Sequence, residues 1–170
     1  MMRLLSGRGL GLEMMLYLRQ RILTVEDQFI AEDENGKKLY LAERRGDSWE
    51  GEDRLYVDQA DGTTVANIDT GIGLWRPTQT INIGGKRVCD VKPDFELLRA
   101  YKIEGLPWTI DYRNFTFGLL CLDSDQIIMR CSRVRSSNWL RYGRSYRLNI
   151  FDPQHEITCL CFALVLCHFE

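Results

Sequence analysis

The sequence is short of the residues on which catalysis and metal binding most often rest. Only two histidines occur, His155 and His168. Thirteen residues apart, they would stand about 20 Å from each other on a helix and cannot share a metal or form a dyad. No CxxC pair, GxSxG elbow, Walker loop or HExxH helix is present. Their absence removes zinc knuckles, elbow-type serine hydrolases, P-loop nucleotide hydrolysis and zincin proteases. Neither charge dominates: 22 Lys and Arg stand against 24 Asp and Glu, a net of -2, so the molecule as a whole is not a polycation that coats nucleic acid. No secretory signal is expected at the start of the chain, because Arg3, Arg8, Glu13 and Arg19 interrupt residues 1–20.

What is present describes a folded domain. The 170 residues are 45% hydrophobic and 27% charged, ordinary globular usage and enough chain for a core without staples. Six cysteines occur, at 89, 121, 131, 159, 161 and 167. With no signal peptide and three of them in one apolar run, they read as reduced, buried small hydrophobes in a cytoplasmic protein rather than as three disulfides. Gly7, Gly9 and Gly11 superficially match a phosphate-binding glycine pattern, but no strand precedes them and no βαβ unit follows.

The middle of the chain is a train of short strands. Apolar residues alternate at Leu39 and Leu41, Leu55 and Val57, Ile81 and Ile83, and Cys89 and Val91. The same period continues through Phe115, Phe117, Leu119 and Cys121, then Ile127, Met129 and Cys131, and finally Tyr146, Leu148 and Ile150. Period two places each set on one face of a strand. Between them stand turn signals: Asn35-Gly36, Asp61-Gly62, Gly84-Gly85 and Ser124-Asp125. Gly36, Gly62 and Gly85 recur after 26 and then 23 residues, a spacing that fits one hairpin per unit. About ten to twelve antiparallel strands follow, a sheet too long to remain open.

The end of the chain breaks this pattern. Asp152-Pro153 is a helix start, with Asp as N-cap and Pro at the first position. From Ile157 to Cys167, ten of eleven residues are apolar, and at helical spacing they cover every side. A helix greasy all round must be surrounded. The run is about 17 Å long against roughly 30 Å of hydrocarbon to cross, so no transmembrane span is expected. The helix, about residues 153–168, must instead be enclosed by the strands.

Four stretches carry a resemblance: residues 16–23 (LYLRQRIL), 29–36 (FIAEDENG), 55–68 (LYVDQADGTTVANI) and 146–166 (YRLNIFDPQHEITCLCFALVL). In their order of strand, turn and terminal helix they resemble the LURP-one-related family of the tubby C-terminal-like superfamily. The resemblance implies a mainly β fold, a closed antiparallel barrel of about twelve strands around a C-terminal hydrophobic helix. It also implies a domain over residues 14–170, with 1–13 as a flexible N-terminal extension. A plugged barrel leaves no lumen for a ligand, so activity is expected on the outer wall or in the loops, with no catalytic residue, cofactor or metal.

Charge is distributed unevenly. From Glu26 to Asp69 there are thirteen acidic and five basic residues, a net of -8. From Gln126 to Phe151 there are six arginines and no acid. Within that segment Arg133, Arg135, Arg141, Arg144 and Trp139 are the candidate anionic-ligand residues: Arg presents a planar fork suited to phosphate, and Trp suits a lipid–water boundary. Arg133 and Arg135 continue the parity of Met129 and Cys131, so the strand must end or bulge near Ser132 for both to reach solvent. Tubby domains bind phosphoinositide headgroups and scramblase-like relatives act at membranes, but no headgroup motif of theirs can be laid on this chain. The expected function is therefore a non-enzymatic binding or scaffold module, peripheral to a membrane, recognising anionic phospholipid headgroups or a protein partner. Two alternatives stand beside it. One is a small enzyme using the carboxylates of Asp47, Glu50, Glu52 and Asp53 in a loop; the other is a nucleic-acid-binding barrel that must tolerate the acidic stretch.

Overall fold

The computed structural model describes residues 13–21, 28–45, 53–72, 77–95, 100–112, 117–135 and 142–168. The strands are β1 (Met14–Arg21), β2 (Gln28–Glu32), β3 (Lys38–Arg44), β4 (Asp53–Gln59), β5 (Thr64–Thr70) and β6 (Gln79–Ile83). They continue as β7 (Lys86–Asp94), β8 (Ala100–Glu104), β9 (Trp108–Asp111), β10 (Phe117–Cys121), β11 (Ile127–Val134) and β12 (Tyr142–Ile150). All pair antiparallel in a single sheet of order β8-β7-β6-β5-β4-β3-β2-β1-β12-β11-β10-β9. Its edges, β8 and β9, are neighbours in sequence and pack together. The Tyr101 amide donates to the Tyr112 hydroxyl at 3.3 Å just beyond β9, so a side-chain bond stands at the seam in place of a ladder. The sheet thus curls into a nearly closed, twelve-stranded barrel, as the resemblance implied. The seam turn needs Gly105: its φ is +105°, and a Cβ there would meet the Val88 carbonyl oxygen at 2.9 Å.

Antiparallel neighbours in chain order make the connections alternate between two ends. One end carries the tight turns at 33–37, 60–63, 84–85, 105–107 and 122–126; the other carries the segments 22–27, 45–52, 71–78, 95–99, 112–116 and 135–141. The glycine turns recur in sequence because each unit holds two strands and returns to the same end. At the Ser124-Asp125 turn it is Asp125 that takes positive φ, +51°. Phe115, expected in a strand, lies outside the described residues, and β10 starts at Phe117. Asp53, expected in a loop, instead opens β4 opposite Thr70.

A 3-10 turn, Pro153–His155, leads into α1 (Glu156–His168). The Asp152 carboxylate caps it by accepting the Gln154 amide at 3.3 Å. Every side chain from Cys159 to Cys167 is buried. The helix packs on β5 and β6 and also on β11 and β12, which lie on opposite arcs of the sheet order. It is therefore threaded through the barrel, as its all-round apolarity demanded. Three of the inward wall residues, Ala31, Ala42 and Ala66, are small and buried in the same core as Leu160, Phe162 and Leu164. In β3 it is Tyr40 and Ala42 that are buried, while Leu39 and Leu41 occupy the other, partly covered face. No helix among the described residues is long and apolar enough to cross a membrane.

The helix start is fixed from two sides. Tyr40 donates its hydroxyl to Glu156 at 2.7 Å, while burial, and then the Glu156 carboxylate, push the phenol's pKa well up. Trp108 stands edge-on to His155, centroids 4.9 Å apart, and 5.9 Å from the Phe162 ring. Tyr40→Phe, which leaves the Glu156 carboxylate short of its donor, is expected to cost about 1–3 kcal/mol in urea unfolding. Unchanged stability would mean the bond does not form in solution.

Candidate functional site

The six arginines of the acid-free segment fall on β11, β12 and their connection, and the fold separates them into two groups. Arg130 and Arg147 alternate with the buried Met129, Cys131, Tyr146 and Leu148, so they belong to the outer wall. The Arg130 guanidinium lies 5.6 Å over the Phe151 ring. Arg133, Arg135 and Arg144 have the opposite parity. Arg133 pairs across the ladder with Tyr146, which is 0% exposed, yet Arg133 itself is exposed. Arg135 is exposed as well, and Arg144 is half-buried beside the Val134–Ser145 pair. Arg141 and Trp139 lie outside the described residues.

The way Arg133 reaches solvent differs from the expectation. β11 neither ends nor bulges at Ser132; it runs to Val134 in unbroken register with β12. What ends is the packed interior. The Cys131 sulfur is 3.7 Å from that of Cys167, next to the last residue of α1. Two residues further along β11, past the level of Cys167, the inward-parity side chain of Arg133 is exposed. Three candidate residues thus gather at the segment-bearing end of the barrel rather than on its wall. The position also favours a cation for a second reason, because the helix C-terminus carries the negative end of its dipole.

Elsewhere many of the arginines are matched by carboxylates. Arg19 pairs with Glu32 at 3.0 Å, Arg45 with Glu43 at 2.8 Å and with Asp58, Arg54 with Asp69, Arg87 with Asp90, and Lys92 with Glu104. Among the described residues, Arg135, Arg144 and Arg147 have no such carboxylate. β2 to β5 hold the acidic stretch as one arc and β11–β12 the arginines as another, with β1 between.

The carboxylates give little footing for acid–base chemistry. Asp47, Glu50 and Glu52 lie outside the described residues. Burial works to raise Asp58, but the Arg45 guanidinium and Thr64 hydroxyl outweigh it and hold the carboxyl below its usual range. Burial is likewise outweighed at Asp90 by Arg87 and Thr80. These groups are held ionised, the reverse of a general acid kept protonated at neutral pH. No cluster of metal-ligating side chains occurs among the described residues. Burial pushes the thiols of Cys89 and Cys159 up to about 12, which makes them poor nucleophiles.

Sequence reasoning picked out the arginines from the missing acids but not their separation into wall and mouth. It also missed three exposed apolar residues on the same end, Ile72, Phe95 and Tyr112; each sits in a segment between strands, where periodicity carries no signal.

Comparison with known proteins agrees with the architecture. An uncharacterised protein of Bacillus subtilis (strain 168), YxjI, is 28% identical over 156 residues, covering 89% of this chain and 90% of that one. A solved structure of a protein from Arabidopsis thaliana superposes with a TM-score of 0.55 at 12% identity, covering 87% of this chain and 88% of the other, a likeness of fold alone. The model of the LURP-one-related family matches residues 14–169. Threaded helix, strand order and sequence match lead to one conclusion: the chain belongs to the LURP-one-related family.

Proposed function

We propose that the protein is a non-enzymatic binding module that recognises anionic phospholipid headgroups, phosphoinositides included, with the arginine-bearing mouth of its barrel. The observation that carries this reading is the gathering of Arg133, Arg135 and Arg144 at one end, in a part of the sheet that contains no acid. Arg141 and Trp139 belong to the same connection by sequence and are included in the proposed surface. Guanidinium groups bind phosphate bidentately, and each arginine near an anionic leaflet contributes about 1 kcal/mol. The interior is filled by α1, so the ligand is met at the surface rather than swallowed. Six free cysteines support a reducing compartment, and the protein acts peripherally at a cytoplasmic membrane face. The fold itself is the scaffold; scramblase-like catalysis is not part of this reading.

The test is sedimentation with phosphatidylcholine vesicles containing a phosphoinositide. Reversing Arg133, Arg135 and Arg144 to Glu is expected to weaken binding by about a hundred-fold or more. Raising the salt is expected to weaken wild-type binding steeply. Because Arg133 stands near the helix C-terminus, melting curves of the variant must accompany the assay. A folded variant that still binds the vesicles would dismiss the arginine site.

A further inference from the structure

The barrel end that carries the arginines also carries most of the exposed apolar bulk among the described residues. Ile72 is fully exposed, Phe95 is 87% exposed and Tyr112 is 44% exposed. A soluble surface scatters single apolar residues freely, so exposure by itself means little. Their arrangement means more. Ile72 belongs to the β5–β6 connection, Phe95 to β7–β8 and Tyr112 to β9–β10, and the next connection around the rim is β11–β12 with Arg135. Since β8 and β9 meet at the seam, these are four consecutive corners of one rim. At the opposite end, Leu122 is the one large hydrophobic exposed among the described residues.

Projecting tips around a ring suit a flat partner, whereas a peptide or helix is held by a groove. The flat partner with both an apolar interior and an anionic surface is a lipid leaflet. By sequence, the segments joining strands at this end also contain Trp49, Trp75 and Trp139, three of the chain's four tryptophans. The acids Glu26, Asp27, Asp47, Glu50 and Glu52 belong by sequence to the β1–β2 and β3–β4 connections, outside these four corners, and Glu96 to β7–β8; Asp94 and Asp111 already have partners.

We infer that the protein docks end-on to an anionic bilayer, with Ile72, Phe95 and Tyr112 entering the interfacial region while the arginine corner holds headgroups. The inference rests on the lipid reading above and deepens it from electrostatic contact to shallow insertion. Insertion sets the orientation: the barrel axis and the threaded helix stand across the membrane plane, and the tight-turn end faces away.

The experiment uses the full chain with two kinds of vesicle, phosphatidylcholine alone and phosphatidylcholine mixed with phosphatidylserine, at low and high salt. Wild type is expected to bind the anionic vesicles and to retain a fraction bound at high salt, because apolar contact is not screened. The variant Ile72→Ser with Phe95→Ser, whose changes lie on exposed positions and are expected to leave melting unchanged, should bind about ten-fold more weakly at low salt and release completely at high salt. The arginine reversal variant should lose the preference for phosphatidylserine and keep the salt-resistant fraction. If the serine variant matches wild type at both salts, insertion is overturned while the arginine reading stands. If the reversal variant matches wild type and the serine variant does not, the arginine reading fails and insertion stands. A wild type that binds neither vesicle overturns both.

Discussion

A chain cut before Ile157, without residues 157–170, is expected not to fold. The helix supplies the inner half of the core: Leu160, Phe162, Leu164, Val165 and Leu166 are all buried, along with three cysteines. Removing one such side chain costs about 2–5 kcal/mol, and a domain's whole margin is about 5–15. Five together, about 10–25 kcal/mol, match or exceed that margin. The strands cannot collapse to compensate, because a twelve-stranded sheet cannot contract onto a void the width of a helix while keeping its ladders. The expected product shows no cooperative urea transition and aggregates through its inner wall. A single replacement, Phe162→Ala, separates lost packing from general insolubility and should cost about 3–5 kcal/mol while leaving a folded barrel. A soluble truncation that melts cooperatively would contradict the threaded architecture.

Alkaline pH is expected to destabilise this protein steeply from about pH 8.5 upward. Cys89 and Cys159, held neutral by burial, ionise only near pH 12, against about 8.5 in an unfolded chain. Cys161 is raised further, first by burial and then by the neighbouring Cys89 and Cys159 thiols. A raised native pKa means the stabilisation is complete below about pH 8.5 and is lost as pH climbs toward 12, because only the unfolded chain releases the proton. Each thiol then removes about 1.4 kcal/mol per pH unit, so three remove about 4. Tyr40, raised by burial and by its bond to Glu156, adds to the fall above about pH 10. Urea midpoints measured in reductant should therefore hold steady to about pH 8.5 and drop sharply by pH 10. Replacing Cys89 and Cys159 with alanine should flatten that drop even though it lowers stability at neutral pH. Stability unchanged to pH 10.5 would show that the thiols are not enclosed.

Most of the architecture was legible because it rests on local signals. Asn35-Gly36, Asp61-Gly62 and Gly84-Gly85 mark turns whose glycines take positive φ. The Asp152-Pro153 cap and the Ile157–Cys167 run mark the helix, in which Cys159 to Cys167 are wholly enclosed. The seam between β8 and β9 was not legible, since a bond such as Tyr101 to Tyr112 leaves no periodic trace. Nor was the burial of Tyr40 over Leu39 and Leu41, because the face of β3 is set by its register with β2 and β4.

Composition and periodicity determined on their own that many short strands surround one fully apolar helix, because a helix with no polar side has nowhere else to go. Whether a given arginine faces wall or mouth was decided only by tertiary structure. Alternation reports which face of a strand a residue takes, and that equals burial only as far as the interior is filled. Beyond the end of the helix the inward-parity position Arg133 on β11 is exposed. Arg133 and Arg144 stand there, on a rim they share with Ile72, Phe95 and Tyr112 from distant parts of the chain.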